Sequence, residues 1–174
     1  MRSRTRGVTL IELLVTLTVL LIVMAWGLPN LQGVVKQTRI TSAVNAVVGG
    51  LSQARSVAVT RGLPVTLCAA DAEAPNECNA FQNWAHGMLL FTDANRDGAI
   101  GGTDERILYR FTDDMVGLAA RANVGAFTYL PDGSTNAGIL HFCDSEGKLP
   151  ARGVVVLASG AHWVIKPTAC GTGI

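Results

Sequence analysis

Residues 8–28 read VTLIELLVTLTVLLIVMAWGL, a run of 21 residues in which Glu12 is the one charged side chain. As a helix, such a run is long enough to span a hydrocarbon core of about 30 Å. Arg2, Arg4 and Arg6 precede it, so the positive-inside rule predicts a cytoplasmic N-terminus and a translocated remainder. The run is too long for the apolar region of a secretory signal peptide, and no small-x-small cleavage site follows it. We therefore expect a single-pass membrane anchor.

Glu12 is the feature that a plain anchor does not explain. A carboxylate within an apolar span costs about 2.5–3.5 kcal/mol on insertion scales, which makes it a functional candidate. Residues 6–14 read RGVTLIELL and resemble the class III signal of type IV prepilins and pseudopilins. The resemblance implies that prepilin peptidase cleaves between Gly7 and Val8 and that Val8, where the family usually has Phe, is then N-methylated. Glu12 becomes the fifth mature residue, the family's glutamate position.

The same resemblance assigns roles and partners along the helix. A buried carboxylate needs a partner, and the N-terminal amine of a neighbouring subunit can supply one to Glu12 and fix the axial register between helices. Pro29 takes mature position 22, often a proline in this family, and we expect it to kink or locally break the helix. The implied partners are other minor and major pilins, prepilin peptidase and the bacterial inner membrane.

Beyond Pro29 the chain predicts an amphipathic helix followed by short strands. Apolar residues recur in steps of three and four, at Ile40, Val44, Val47, Leu51, Ala54 and Ala58. Another face of the helix largely carries Asn45, Gly49, Ser52, Gln53 and Ser56. The helix is expected to end at Arg61-Gly62. Short apolar runs between turn signals then predict strands at 64–69, 88–92, 106–111, 126–130, 138–142, 153–158 and 163–166.

These patterns predict an α+β fold in which a long N-terminal helix packs on antiparallel β-sheets. The expected organisation is a leader at 1–7, a transmembrane helix at 8–28, its amphipathic extension at 29–62 and a β-rich periplasmic domain at 63–174. The resemblance to prepilins and pseudopilins implies a single-pass inner-membrane protein that is incorporated into a pilus or pseudopilus.

Four cysteines follow the apolar run, at intervals of 10, 65 and 27 residues: Cys68, Cys78, Cys143 and Cys170. The absence of a CxxC pair argues against zinc ligation and thioredoxin-like chemistry, and an even number fits disulfides in an oxidising compartment. Three connectivities are possible. We favour Cys68–Cys78 and Cys143–Cys170 because each closes a short local loop.

The middle of the chain resembles the FimT/GspH group of minor pilins and pseudopilins. The similar stretches are LSQARSVAVTRG at 51–62, PVTLC at 64–68 and WAHGMLLFTD at 84–93. The resemblance implies a subunit present in few copies, near a pilus tip or in a priming complex with other minor pilins. The expected function is assembly or priming of a type IV pilus. The alternatives are a type II secretion pseudopilin of the GspH type and a pilin that receives DNA for uptake.

Residues 93–104 have the spacing of a calcium loop. Asp93, Asn95 and Asp97 alternate, Gly98 follows, and Asp104 is twelfth, where Glu is usual. The competing interpretation is a polar hairpin loop whose Asn, Asp and Gly suit a turn for their own reasons. Strands rather than helices flank the loop, so we favour the hairpin and expect no cofactor, with calcium as the alternative.

A DNA-binding surface is the second open question. Some FimT-type pilins bind DNA through a Gly-Arg-x-Arg stretch, and the matching residues 160–163 read GAHW, without either arginine. Arg152 and Lys166 are nearby, and Trp163 could stack on a base. Beyond residue 28 the chain has 11 basic and 12 acidic residues, which gives no long-range attraction for a polyanion. We favour a Trp163 packed in the core and no specific DNA binding.

No catalytic motif is present. The three histidines, His86, His141 and His162, are far apart in sequence, and the chain has no GxSxG, P-loop or GxGxxG motif. We therefore expect no catalytic residues and no enzymatic activity.

Overall fold

The structure, a computed structural model, describes residues 7–79, 82–101, 105–111, 118–144, 146 and 149–166, and for residues 26–32 it describes the backbone alone. The chain divides into two compact units, Met1–Lys36 and Gln37–Ile174. Helix α1 runs from Leu10 to Arg61 and is continuous across Pro29, so the helix does not break there. The expected kink at Pro29 stays a prediction.

Both ends of α1 have local causes in the sequence. The Thr9 hydroxyl accepts the backbone N–H of Glu12 at 3.3 Å, which is the hydrogen bond of an N-cap residue. At the other end Gly62 adopts φ 66° and donates its N–H to the carbonyl of Ala58 at 2.9 Å. Glycine reaches this left-handed conformation without strain, so the predicted stop at Arg61-Gly62 is confirmed.

The second half of α1 packs on the sheets through the predicted apolar face. All six residues of that face are buried, and Ala43 joins them. The five residues assigned to the other face are exposed. Helix α1 lies close to the first sheet at Gly50. A methyl carbon added there would lie 3.3 Å from Leu67 Cδ2 and 3.5 Å from Met88 Sδ. A small residue is therefore needed where α1 crosses β1 and β2.

The first sheet has four antiparallel strands in the order β3-β2-β1-β5. Their bounds are β1 Val65–Ala69, β2 Met88–Thr92, β3 Ile107–Phe111 and β5 Ala126–Tyr129. Every residue of β1 and β2 is buried, because both faces of the central strands are covered. Leu67 and Leu90 face α1 in the main core, whereas Cys68, Leu89 and Phe91 form a second small core on the opposite face with Ile100 packed against it.

A side chain covers the free edge of β5. The Asn136 amide oxygen accepts the N–H of Thr128 at 3.0 Å, and its amide nitrogen donates to the carbonyl of Ala126 at 2.8 Å. The Asn136 amide therefore occupies one backbone N–H and one backbone carbonyl at this edge, the two kinds of group that an added strand would hydrogen-bond.

The second sheet is also antiparallel, in the order β4-β6-β7-β8. Its strands are β4 Leu118–Ala122, β6 Gly138–Asp144, β7 Arg152–Val156 and β8 His162–Ile165. Leu140, Phe142, Val154 and Val156 project into the main core against α1. The two sheets and the second half of α1 thus share one hydrophobic core.

The predicted α+β class is confirmed, and so are the seven predicted strands, whose ends differ from the expected ranges by at most two residues. Two further elements, β4 and a short 3₁₀ turn at Trp84–His86, were not predicted from the sequence. That turn buries Trp84, whose ring lies 5.9 Å from the Phe127 ring and whose indole N–H reaches the carbonyl of Val124.

Candidate functional site

The N-terminal segment presents the predicted cleavage bond outside helical structure. Gly7 and Val8 precede α1 and are exposed, and a methyl carbon added at Gly7 would meet no atom within 4 Å. Glu12 lies in the first turn of α1 and is also exposed. The arginines of the leader fall in residues 1–6, outside the described residues. The bond that a peptidase would cut is therefore accessible.

The first turns of α1 carry exposed apolar side chains on all sides. From Leu10 to Met24 the large apolar residues are between 50% and 84% exposed. Within the described residues, no helix is both long and apolar enough to cross a membrane. The expected span at 8–28 includes residues 26–28, whose side chains are not described, and it stays a prediction.

The loop that joins β2 to β3 gathers acidic side chains on the face of the first sheet away from α1. Asp93, Asp97 and Glu105 each offer a carboxylate oxygen, and these oxygens all lie within 4.8 Å of one another. Glu105 was not among the ligands predicted from the sequence. Asp104, the expected twelfth residue of the calcium pattern, lies outside the described residues.

Asp93 anchors this loop to the sheet. It is 0% exposed, and its Oδ2 accepts the Thr66 hydroxyl at 2.6 Å and the Gly98 N–H at 3.2 Å. Thr66 in turn lies 2.7 Å from the hydroxyl of Thr128, its register partner on β5. Because Thr66 donates to Asp93, Thr128 donates to Thr66, and the three side chains form one hydrogen-bonded chain.

The remaining polar residues of the loop form turns. Asn95 accepts the N–H of Asp97 at 3.0 Å and donates to Asp97 Oδ2 at 2.8 Å, and Arg96 has φ 63°. A groove of about 540 Å³ lies beside this loop. Its lining includes residues 96–98 of the loop, Ala126 and Thr128 of β5, and residues 134–136. Solvent therefore reaches Asp97, whereas Asp93 is shielded.

A disulfide closes the loop after β1, as predicted. Cys68 and Cys78 are bonded with their α-carbons 5.7 Å apart. Asp71 organises this loop by accepting the N–H groups of Glu73 and Ala74, and those hydrogen bonds hold the pKa of the Asp71 carboxyl below its usual value. Cys143 is also disulfide-bonded. Its expected partner, Cys170, lies outside the described residues.

The residues proposed for DNA do not form one surface. The register Gly153↔Ile165 places Arg152 beside Lys166, but Trp163 pairs with Val155. Since side chains alternate across a strand, Trp163 projects from the opposite face of the sheet to Arg152 and Lys166. The expectation that Trp163 packs in the core is wrong. Trp163 is 44% exposed, because β8 is an edge strand and Trp163 projects from the face of the sheet that is turned away from the main core.

The histidines are in separate parts of the fold. His86 ends the 3₁₀ turn and His141 lies in the middle of β6. His162 begins β8, where its Nε2 lies 3.1 Å from the Ser52 hydroxyl on α1. These positions do not bring the three histidines together.

The fold and the N-terminal segment define a type IV pilin-like protein, in which a long N-terminal helix carries a domain of antiparallel sheets. A family model described as type II transport protein GspH matches residues 43–160, more than half of the chain. A model of the prokaryotic N-terminal methylation motif matches residues 2–28. The chain therefore belongs to the GspH family, and it is a minor pilin or pseudopilin.

Two solved structures of one minor pilin share this fold, and a third structure aligns less well. The type IV minor pilin FimU of Pseudomonas aeruginosa (strain PAO1), in space group P21, aligns with a TM-score of 0.58 at 17% identity over 78% of this chain and 98% of FimU. A second FimU crystal form, P65, gives 0.51 and 16% over 78% and 99%. EpsH, a minor pseudopilin from the type 2 secretion system of Vibrio cholerae, gives 0.48 and 12% over 71% and 95%. No curated protein sequence matches the chain.

Proposed function

We propose that the chain is a minor pilin that takes part in the assembly or priming of a type IV pilus, with α1 as its assembly helix. The observation that carries this proposal is the arrangement at the N-terminus. An exposed Gly7–Val8 bond precedes a helix that exposes apolar side chains on all sides and has one acidic residue, Glu12, in its first turn. In this proposal the protein is a single-pass inner-membrane protein, its sheets lie in the periplasm, and prepilin peptidase processes it.

The energetics explain why Glu12 would need a second subunit. The positive end of the helix macrodipole stabilises a first-turn carboxylate by about 0.3–1 kcal/mol. Placing the same carboxylate in an apolar layer costs about 2.5–3.5 kcal/mol. The helix therefore cannot offset this cost alone. The amine that cleavage creates on Val8 of a neighbouring subunit is a partner of the right charge.

This role predicts that Glu12→Ala lowers recovery of the protein in sheared filaments or in a minor-pilin complex, without changing cleavage after Gly7. Immunoblots of filament and membrane fractions measure recovery, and mass spectrometry of the mature N-terminus measures cleavage. Thr16→Ala is the matched control, because the Thr16 hydroxyl bonds the carbonyl of Leu13 within its own helix. Gly7→Val should block cleavage while membrane insertion persists. Equal incorporation of Glu12→Ala and wild-type protein would refute the pairing role.

A role as a type II secretion pseudopilin is the second candidate, and the description of the matching family favours it. The two functions predict different phenotypes for a deletion strain. Loss of surface filaments with normal exoprotein secretion supports the pilus role. The reverse pattern would assign the protein to secretion. Fold and family are those of structural pilins in either case.

A further inference from the structure

The acidic cluster in the β2–β3 loop contains a buried oxygen that no described residue satisfies. Asp93 is 0% exposed, and its Oδ1 lacks a hydrogen-bond partner in the described structure, although Oδ2 has two. A buried polar atom left without a partner costs about 1–3 kcal/mol, and more when it is charged. A folded protein rarely retains such an atom unless something else binds it.

The surrounding atoms indicate a positively charged ligand. Asp97 and Glu105 bring carboxylate oxygens to within 4.8 Å of each other and of Asp93. Three carboxylates at such distances repel one another, and burial of Asp93 strengthens the repulsion because water screens it less. A cation bound between them would remove the repulsion and give Asp93 Oδ1 its missing contact.

The spacing of the oxygens suits calcium. Ca²⁺ binds oxygens at 2.3–2.6 Å, so two oxygens on one ion are at most about 4.6–5.2 Å apart. Mg²⁺ binds at 2.0–2.1 Å and would require about 4.2 Å or less. Separations within 4.8 Å allow one shared Ca²⁺ ion, and the D-x-N-x-D-G spacing of residues 93–98 favours calcium over magnesium.

We propose that Asp93, Asp97 and Glu105 bind one Ca²⁺ ion, with Glu105 rather than Asp104 supplying the last carboxylate. The ion joins Asp93 directly after β2, Asp97 in the loop and Glu105 two residues before β3. Ile100 of the same loop covers the second small core around Phe91. Bound calcium therefore stabilises the loop that covers this second core. An affinity of 10⁻⁴–10⁻³ M, typical of extracellular modules, would suffice outside the cytoplasm.

The test is calcium titration of the purified full-length chain in detergent micelles, by isothermal calorimetry and by urea unfolding followed by tryptophan fluorescence. CaCl₂ is the probe, with EGTA and MgCl₂ as the comparison conditions. At ten times the dissociation constant the folding equilibrium constant should rise about tenfold. No heat of binding and no change in the urea midpoint up to 10 mM free Ca²⁺ would overturn the proposal. An equal effect of Mg²⁺ would overturn the assignment to calcium.

Isosteric variants identify the ligands. Asp97→Asn and Glu105→Gln keep the acceptor oxygens that bond Ala99 N–H and Gly101 N–H, so both should fold, and each should weaken calcium binding at least about tenfold. Glu73→Gln is the matched control, since Glu73 is exposed in the separate disulfide loop, and it should bind as wild type does. Asp104→Asn should also leave binding unchanged. Loss of binding in Asp104→Asn but not in Glu105→Gln would overturn the proposed ligand set.

Discussion

Gly133 and Gly160 meet where two turns pack together. Both have positive φ, 82° and 78°, and a methyl carbon built on Gly160 would lie 2.1 Å from the carbonyl oxygen of Gly133. Arg55 on α1 also contacts these turns, because it donates a hydrogen bond to the carbonyl of Ser159 at 3.2 Å. The two turns are residues 131–133, between β5 and β6, and residues 158–160, between β7 and β8. Their mutual contact was not predictable, because it depends on two residues 27 positions apart.

Gly160→Ala should destabilise the protein by more than about 2 kcal/mol, since left-handed backbone costs an alanine about 1–2 kcal/mol and the overlap with a backbone oxygen forces the turns apart. Gly49→Ala is the matched control. Gly49 is exposed on α1 with no atom within 4 Å of an added methyl carbon, so this change should stabilise by about 0.5–1 kcal/mol. Urea unfolding measures both. Similar effects of the two substitutions would contradict this account.

Among the elements, strands with apolar and β-branched residues were predictable and β4 was not. β4 reads LAARA, and alanine and arginine favour helices in isolation. Pairing with β6 from Leu118↔Asp144 to Ala122↔Leu140 overrides that preference. Trp163 shows the same limit, because its exposure depends on the position of β8 at the sheet edge. Local sequence indicates the strands that are rich in apolar and β-branched residues. Neighbouring strands decide whether a segment such as β4 pairs at all, and which face of a strand is covered.

Tyr129 of β5 makes the stability of the fold depend on alkaline pH. Its side chain is buried and its hydroxyl has no partner among the described residues, and this burial raises its pKa to about 12 although the nearby Arg55 opposes the shift. Tyr129 in the unfolded chain ionises near pH 10, so ionisation lowers the free energy of the unfolded state before that of the folded state. Stability should therefore be present in full below pH 10 and fall between pH 10 and 12.

Tyr129→Phe should remove that loss, with little change at pH 7, because the deleted hydroxyl makes no hydrogen bond in the described structure. Tyr109→Phe is the control, since Tyr109 is 50% exposed on β3. Urea midpoints recorded from pH 7 to pH 12 distinguish the variants. A wild-type profile that stays flat to pH 12 would contradict the buried-hydroxyl explanation.

At the scale of the whole molecule, the charge distribution argues against DNA as a partner. Affinity for duplex DNA depends on clustered lysine and arginine. The chain beyond residue 28 has one more acidic than basic residue, and Trp163 lies on the face opposite Arg152 and Lys166. Residues 29–174 should bind duplex DNA with a Kd of about 10⁻⁴ M or weaker at physiological salt.

Titration with duplex DNA at two salt concentrations tests this prediction. Ala161, the residue before β8, and Trp163 within β8 are both exposed. They are two residues apart, so their side chains lie on the same face. Ala161→Arg combined with Trp163→Arg should therefore create measurable, salt-sensitive binding. Micromolar binding by the unmodified domain, weakened by Arg152→Gln or Lys166→Gln, would instead support a DNA receptor.

The amide of Asn136 has a consequence for a protein whose class polymerises. A subunit that assembles in order must not also aggregate through its sheets, and an open strand edge is the usual route to such aggregation. Asn136 hydrogen-bonds the backbone of Thr128 and Ala126, so these groups are not available to an incoming strand and the first sheet ends at β5. Crowding many copies together then favours contacts between side chains and helices over fibrils that grow by adding strands at this edge.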